Sequence, residues 1–132
     1  MENKISKTKL WISYAMSWLV ILFMLMDSIM KFVKPTDVIE GTLALGFAEE
    51  HLPIIATLGL ISTLLYIFPR TSILGGILLT AYFGGAVATH VRLNNPLFTH
   101  VLFTVYFGIL IWVGLWLRNS KLRELLPLRQ SN

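Results

Sequence analysis

Residues 73–91 read Ile-Leu-Gly-Gly-Ile-Leu-Leu-Thr-Ala-Tyr-Phe-Gly-Gly-Ala-Val-Ala-Thr-His-Val. No formal charge interrupts these 19 residues. At ~1.5 Å rise per residue they reach about 28 Å as a helix, which matches a hydrocarbon core of ~30 Å. Such a run is long enough to cross a bilayer. Three more stand around it, at 10–30, 52–68 and 97–117, of 21, 17 and 21 residues. The reading is an all-α membrane protein: a four-transmembrane-helix bundle forming a single domain over residues 1–132.

Composition supports it. Hydrophobic residues make up 55% of the 132 and charged residues only 14%, with a mean hydropathy of +0.70. A soluble chain of this size cannot bury so much apolar surface in one core, and a disordered one would be far more polar. The lipid bilayer is therefore the first partner. There is no cysteine, which removes disulfides, thiolate metal sites and cysteine nucleophiles. The net charge of +4 comes from basic residues at the ends of apolar runs. They form no patch interleaved with aromatics, so nucleic acid is not an expected partner.

Breakers divide the runs: Lys31 and Lys34-Pro35 after the first, Pro69-Arg70-Thr71 between the second and third, Asn94-Asn95-Pro96 before the fourth. A signal peptide is the rival reading of the first run, with Lys4, Lys7 and Lys9 as a basic leader. The apolar stretch is too long for that, and no small-residue cleavage site precedes Asp27. Lys4, Lys7, Lys9, Arg70, Arg118, Lys121, Arg123 and Arg129 fall on one side of the membrane, against Lys31, Lys34 and Arg92 on the other. The positive-inside rule then puts both termini in the cytoplasm. Loop 32–51 faces outward and is acidic. Thr36 as a cap, Asp37 in the first turn and Gly46 as a stop predict a short interfacial helix there. The tail after Arg118, with Leu122, Leu125, Leu126 and Leu128, predicts an amphipathic piece on the inner leaflet.

Small and polar residues at helical spacing mark faces that pack in lipid. They are Ser13, Ser17, Asp27, Ser28 and Lys31 in the first span, Ala56, Gly59, Thr63 and Tyr66 in the second, Gly76, Thr80, Gly84 and Ala88 in the third, and His100, Thr104 and Gly108 in the fourth. Trp11, Trp112 and Trp116 suit an aromatic belt at the inner boundary.

This orientation gathers the polar groups at the outer mouth, so the ligand-binding candidates are Asp27, Lys31, Glu50, His51, His90, Arg92, His100 and Thr104. A carboxylate below the membrane surface is rare and either pairs or faces a cavity. Asp27 is thus half of an ion pair with Lys31 or Arg92, or a group that handles a ligand or a proton. His100, with Thr104 one turn below, is a buried histidine, a ligand-binding group or a haem or metal ligand. At 100° per residue His90 stands roughly 140° from the small-residue row, which directs it towards a neighbour, the headgroups or a partner. His51 beside Glu49 and Glu50 has the composition of a metal site, but consecutive loop residues are usually solvated, and no metal is assigned. Nucleotide-binding, zinc-protease and hydrolase motifs do not occur, so no catalytic residue is assigned.

Several segments resemble the DoxX-like membrane proteins, in particular the short four-span branch. They are Met26-Asp-Ser-Ile-Met-Lys-Phe-Val-Lys-Pro35, Val38-Ile-Glu-Gly41, Leu65-Tyr-Ile-Phe-Pro-Arg-Thr71, and Leu79-Thr-Ala-Tyr-Phe-Gly-Gly-Ala-Val-Ala-Thr-His-Val-Arg92 followed by Pro96-Leu-Phe-Thr-His100. The resemblance implies a four-helix bundle in a bacterial cytoplasmic membrane, with His90 and Arg92 matching the family's histidine and arginine after span three. It also implies an association with membrane redox systems, since the wider family includes a subunit of a thiosulfate:quinone oxidoreductase and a component of an oxidative-stress complex. One departure is Asp27, where the family often has a small uncharged residue. Three functions follow as alternatives. The first is an accessory or small-molecule-binding component of redox or stress physiology, with redox-complex subunits as partners. The second is an electron-transfer subunit using quinone or haem as cofactor. The third is a small-solute or proton pathway built as a homo-oligomer.

Overall fold

The computed structural model describes residues 6–126, so Lys4, Leu128 and Arg129 lie outside the described residues. The helices are α1 (Lys7–Val33), α2 (Thr36–Ala44), α3 (Leu52–Ile67), α4 (Ser72–Arg92), α5 (Phe103–Arg118) and α6 (Ser120–Leu125). A 3₁₀ turn, Glu49–His51, leads into α3 and a π turn, Leu97–Val101, precedes α5. Among the described residues there is no strand. Four segments are long and apolar enough to span a membrane: Lys7–Val33, Glu49–Ile67, Ser72–Arg92 and Leu97–Arg118. They agree with the four runs read from the sequence.

The spans form a ring in which α1 packs on α3, α3 on α4, α4 on α5 and α5 on α1. Both chain ends of this ring lie at one end, here called proximal; the other is distal. The core between the helices holds Val20, Ile21, Met24, Tyr66, Leu79, Phe83, Phe107, Ile111 and Leu115. Large apolar side chains cover the outside: Trp11 is 73% exposed, Leu22 62% and Ile54 59%. Burying one such side chain is worth about 1.5–3 kcal/mol, so an outside of this kind suits a lipid solvent.

Proximal packing is polar where helices need register. Tyr66 Oη donates to Ser17 Oγ at 2.7 Å, and Arg118 Nη1 donates to the Ser13 carbonyl at 2.8 Å while lying over the Tyr14 ring. Ser13 and Ser17 are buried, and so are Ala56, Gly59, Thr63 and Tyr66. The faces read for the first two spans are the packed ones. The third differs. Its buried residues are Gly75, Gly76, Leu79 and Phe83, whereas Thr80, Gly84 and Ala88 are exposed. The reason is the short turn after α3. It brings α4 back so closely that a Cβ on Gly75 would stand 2.2 Å from the Tyr66 backbone nitrogen, which fixes the facing stripe through Gly75.

Loop 32–51 does contain the short helix, with one change at its start. Lys34 adopts a left-handed conformation (φ 58°) and donates its N–H to the Met30 carbonyl, which ends α1. Pro35 is then the N-cap of α2, with Thr36 its first helical residue rather than the cap. Gly46, at φ 88°, stops the helix as read, and its Cβ position is taken up by Arg92 Nη2 at 2.9 Å. Thus α2 is held across the distal end. The tail forms α6, with Asn119 Oδ1 accepting from the Leu122 N–H at 3.0 Å.

Candidate functional site

The distal ends of α1, α4 and α5, roofed by α2, surround a cavity of about 560 Å³. Its polar lining comes from Asp27 and Lys31 on α1, Tyr82 and His90 on α4, Asn95 and His100 in the following segment, and Thr104 on α5. Residues far apart in the chain therefore meet because three helix ends converge beneath α2. The apolar wall includes Phe23, Phe83 and Phe103, and these rings pack on Phe107: Phe23 stacks on it at 4.7 Å, Phe103 meets it edge-on at 5.0 Å, and Phe83 stacks at 6.1 Å. Contacts of that kind add about 0.5–1.5 kcal/mol each beyond area burial, which makes the wall stiff.

One side of the cavity is an ion pair. Lys31 Nζ donates to Asp27 Oδ2, four residues back on the same helix, and to Tyr82 Oη at 2.9 Å across the bundle. Both side chains of the pair are largely removed from water or lipid, at 19% and 29% exposure. The charges cancel locally, as a carboxylate in a span requires. Of the two partners the sequence offered for Asp27, the structure selects Lys31. Arg92 instead donates through Nη2 to the Leu45 carbonyl at 3.0 Å, tying α4 to the end of α2.

The other side is a histidine pair. His90 and His100 lie edge to face with ring centroids 5.6 Å apart. Asn95 Nδ2 donates to His90 Nδ1 at 2.8 Å, and Thr99 Oγ1 and His100 Nδ1 share a hydrogen bond of 2.8 Å. An amide N–H can only donate, so a neutral His90 carries its proton on Nε2. The angular argument sent His90 away from the site, yet it lines the cavity. That argument measured from the small-residue row, and this row is not the inward face of α4.

Glu50 and His51 stand elsewhere. Glu50 lines a shallow recess with Lys34, Ala48 and Glu49. His51 Nδ1 accepts from the Ala48 N–H at 3.0 Å, with its ring edge-on to Phe47. These contacts organise the start of α3. Among the described residues, no three or more histidine, cysteine, aspartate or glutamate side chains are grouped to hold a metal ion.

Thr104 is the unusual member. Its Oγ1 is buried and has no hydrogen-bond partner; Ser28 Oγ is the other such atom among the described residues. An unsatisfied buried hydroxyl costs about 1–3 kcal/mol. Thr42, Thr57, Thr63, Thr80 and Thr89 each avoid this by donating to the carbonyl four residues back. For Thr104 that residue is His100, which sits in the π turn, where i,i+5 bonding takes carbonyls out of α-helical register. The hydroxyl is left without a partner, on a residue that lines the cavity.

Sequence reasoning missed Tyr82, Asn95 and the phenyl wall. A polar ring two turns before His90 on one span was an available signal for Tyr82; Asn95 had been read only as a loop breaker. What the arrangement can do chemically is bind. It presents a balanced ion pair, an unspent hydroxyl and an imidazole N–H against stiff aromatic walls.

A family model described as the DoxX-like family matches residues 15–114. No curated protein and no solved structure matches the chain.

Proposed function

The chain belongs to the DoxX-like family, and from that membership and the distal cavity we propose that it is an accessory membrane protein that binds a small molecule in the service of membrane redox or stress physiology. In this reading it is one membrane domain in a bacterial cytoplasmic membrane, both termini are cytoplasmic, and the cavity opens on the outer side. The supporting observation is convergence: Asp27, Lys31, His90, His100 and Thr104 come from four elements to one cavity of about 560 Å³. A volume of that order falls in the usual range for ligand pockets, and an apolar hollow with a few convergent polar groups is their common composition. Glu50, His51 and Arg92 serve the frame around the site.

The test is mass spectrometry of what stays bound after mild detergent extraction. The wild type is compared with Asp27→Asn, which unbalances the ion pair, and with Ala86→Phe, which fills the cavity from α4. The expected result is a defined compound in the wild type, reduced about tenfold or more in both variants, equivalent to about 1.4 kcal/mol of lost affinity, with unchanged helix content. A quinone or haem among the lost compounds would assign electron transfer as the role of the site. Equal retention in Ala86→Phe would overturn the site.

A further inference from the structure

The distal cavity has a neighbouring hollow on the bilayer side. At Phe83 and Thr104 it shares its wall with a groove of about 480 Å³ on the outside of the bundle, between α4 and α5. Gly84 and Gly108 line this groove, with Val87 and Ile109 beside them. A Cβ on either glycine would meet nothing within 4 Å. The proximal end is closed by Trp112, whose Nε1 donates to Thr80 Oγ1 at 2.8 Å. From Thr104 to Trp112 the groove follows about 12 Å of helix. Its lining is apolar apart from these two threonines and the spent indole N–H.

The two hollows differ in chemistry, and the unpartnered Thr104 hydroxyl stands at their junction. Deeper in the cavity the Asp27 and Lys31 charges already balance, so an ionic head would have no free countercharge beside it. What remains unspent includes neutral groups: the Thr104 O–H and the Nε2 atoms of His90 and His100. We propose that the distal site is loaded from within the bilayer by a neutral amphiphile whose aliphatic chain lies in the α4/α5 groove and whose head, a carbonyl or hydroxyl oxygen, bonds to Thr104. The inference rests on the binding role proposed above and specifies its ligand class and route. The chain is desolvated along its length by Val87, Gly108 and Ile109. The head reaches the polar cavity without crossing water, and it restores the hydrogen bond that the π turn denies to Thr104.

The experiment uses the full chain in phosphatidylcholine nanodiscs with a methyl ketone of about ten carbons, a length chosen for the ~12 Å groove, carrying a diazirine at its chain end. After irradiation the adducts are mapped by mass spectrometry. Adducts are expected on Ile109, Trp112 or Val113, at the far end of the groove, competed by unlabelled ketone. They should fall about tenfold, some 1.4 kcal/mol, in Gly84→Leu and in Gly108→Leu, which put bulk into the groove from positions where a Cβ meets nothing within 4 Å. Thr104→Val should lower them as well, since it removes the head contact alone. Groove labelling that is equal in wild type and Thr104→Val is what a covering lipid would give, and it overturns the proposal. So does labelling that persists in both leucine variants. If Ala86→Phe still strips the co-purified compound while the ketone never labels the groove, the binding site stands and the route from the bilayer falls. Should Ala86→Phe change neither, the site itself falls.

Discussion

Thr104 and Thr63 are both threonines of membrane-spanning helices, yet removing their hydroxyls should move stability in opposite directions. Thr63 is fully buried and donates to the Gly59 carbonyl at 2.7 Å. Thr63→Val deletes a made hydrogen bond and should cost about 0.5–1.5 kcal/mol. Thr104 makes none, so Thr104→Val replaces a desolvated hydroxyl by a methyl group and should stabilise the unliganded protein by about 1 kcal/mol. Unfolding in mixed micelles, monitored by circular dichroism, measures both; a destabilised Thr104→Val would mean that the hydroxyl has a partner. Asp27 gives a second case. With Asp27→Asn the Lys31 ammonium keeps Tyr82 Oη but loses its counter-charge in a site largely closed to solvent. The cost should fall between that of an exposed pair and a buried one, about 1–2 kcal/mol. Adding Lys31→Met to Asp27→Asn should recover part of it, because the uncompensated charge is then gone. If the double variant is less stable than the single by the full worth of a lysine, the ammonium is held by Tyr82 rather than by the carboxylate.

Between elements, the close approach of α3 to α4 turns on one glycine. Gly75→Ala places a methyl group against the Tyr66 backbone, where no rotamer can relieve it. The two helices must separate, at a cost at or above the ~1–3 kcal/mol typical of overpacking. Gly84→Ala on the same helix meets nothing and should be neutral or stabilising by up to about 1 kcal/mol through helix propensity. Thermal melts of the two variants check the contrast, and equal effects would place the α3/α4 contact elsewhere. This contrast also explains what the sequence could and could not tell. The spans, the loop helix and the packed faces of α1 and α3 were legible, because run length, breakers and buried serines or glycines leave few alternatives. The face of α4 was not. In lipid both sides of a helix are apolar, so a row such as Thr80, Gly84 and Ala88 says where a helix could pack and leaves open where it does. That choice depended on the turn after α3. The error carried through to His90, whose direction had been measured from the wrong row. The π turn before Thr104 was equally hidden, since nothing in Leu97–Val101 distinguishes i,i+5 from i,i+4 bonding in composition. Asp27 and Lys31 were legible as a pair by spacing alone, whereas Tyr82 joins them only through the meeting of α1 and α4.

At the scale of the whole molecule the charge is lopsided. Lys7, Lys9, Arg70, Arg118, Lys121 and Arg123 lie at or beyond the proximal ends of the spans, and Lys31, Lys34 and Arg92 at the distal ends. Of the distal three, Lys31 is matched by Asp27 and Arg92 is spent on the Leu45 carbonyl, whereas the proximal set keeps a large excess of positive charge. This asymmetry is what supports the proposed orientation, proximal end in the cytoplasm, because each basic residue held near the anionic inner leaflet is worth about 1 kcal/mol. The chain has no cysteine, so single cysteines report topology without background. Asp37→Cys and Glu49→Cys, both at exposed distal positions, should react with an impermeant maleimide in intact cells. Arg70→Cys and Ser120→Cys should react only after permeabilisation. The reverse pattern would turn the cavity towards the cytosol and remove the outer-side assignment, yet it would leave loading through the α4/α5 groove untouched, since a ligand dissolved in the bilayer reaches that groove whichever end faces out. Topology and route are therefore separable, and a bundle inverted by moving its flanking lysines should keep its amphiphile while exchanging the compartment with which the bound head communicates.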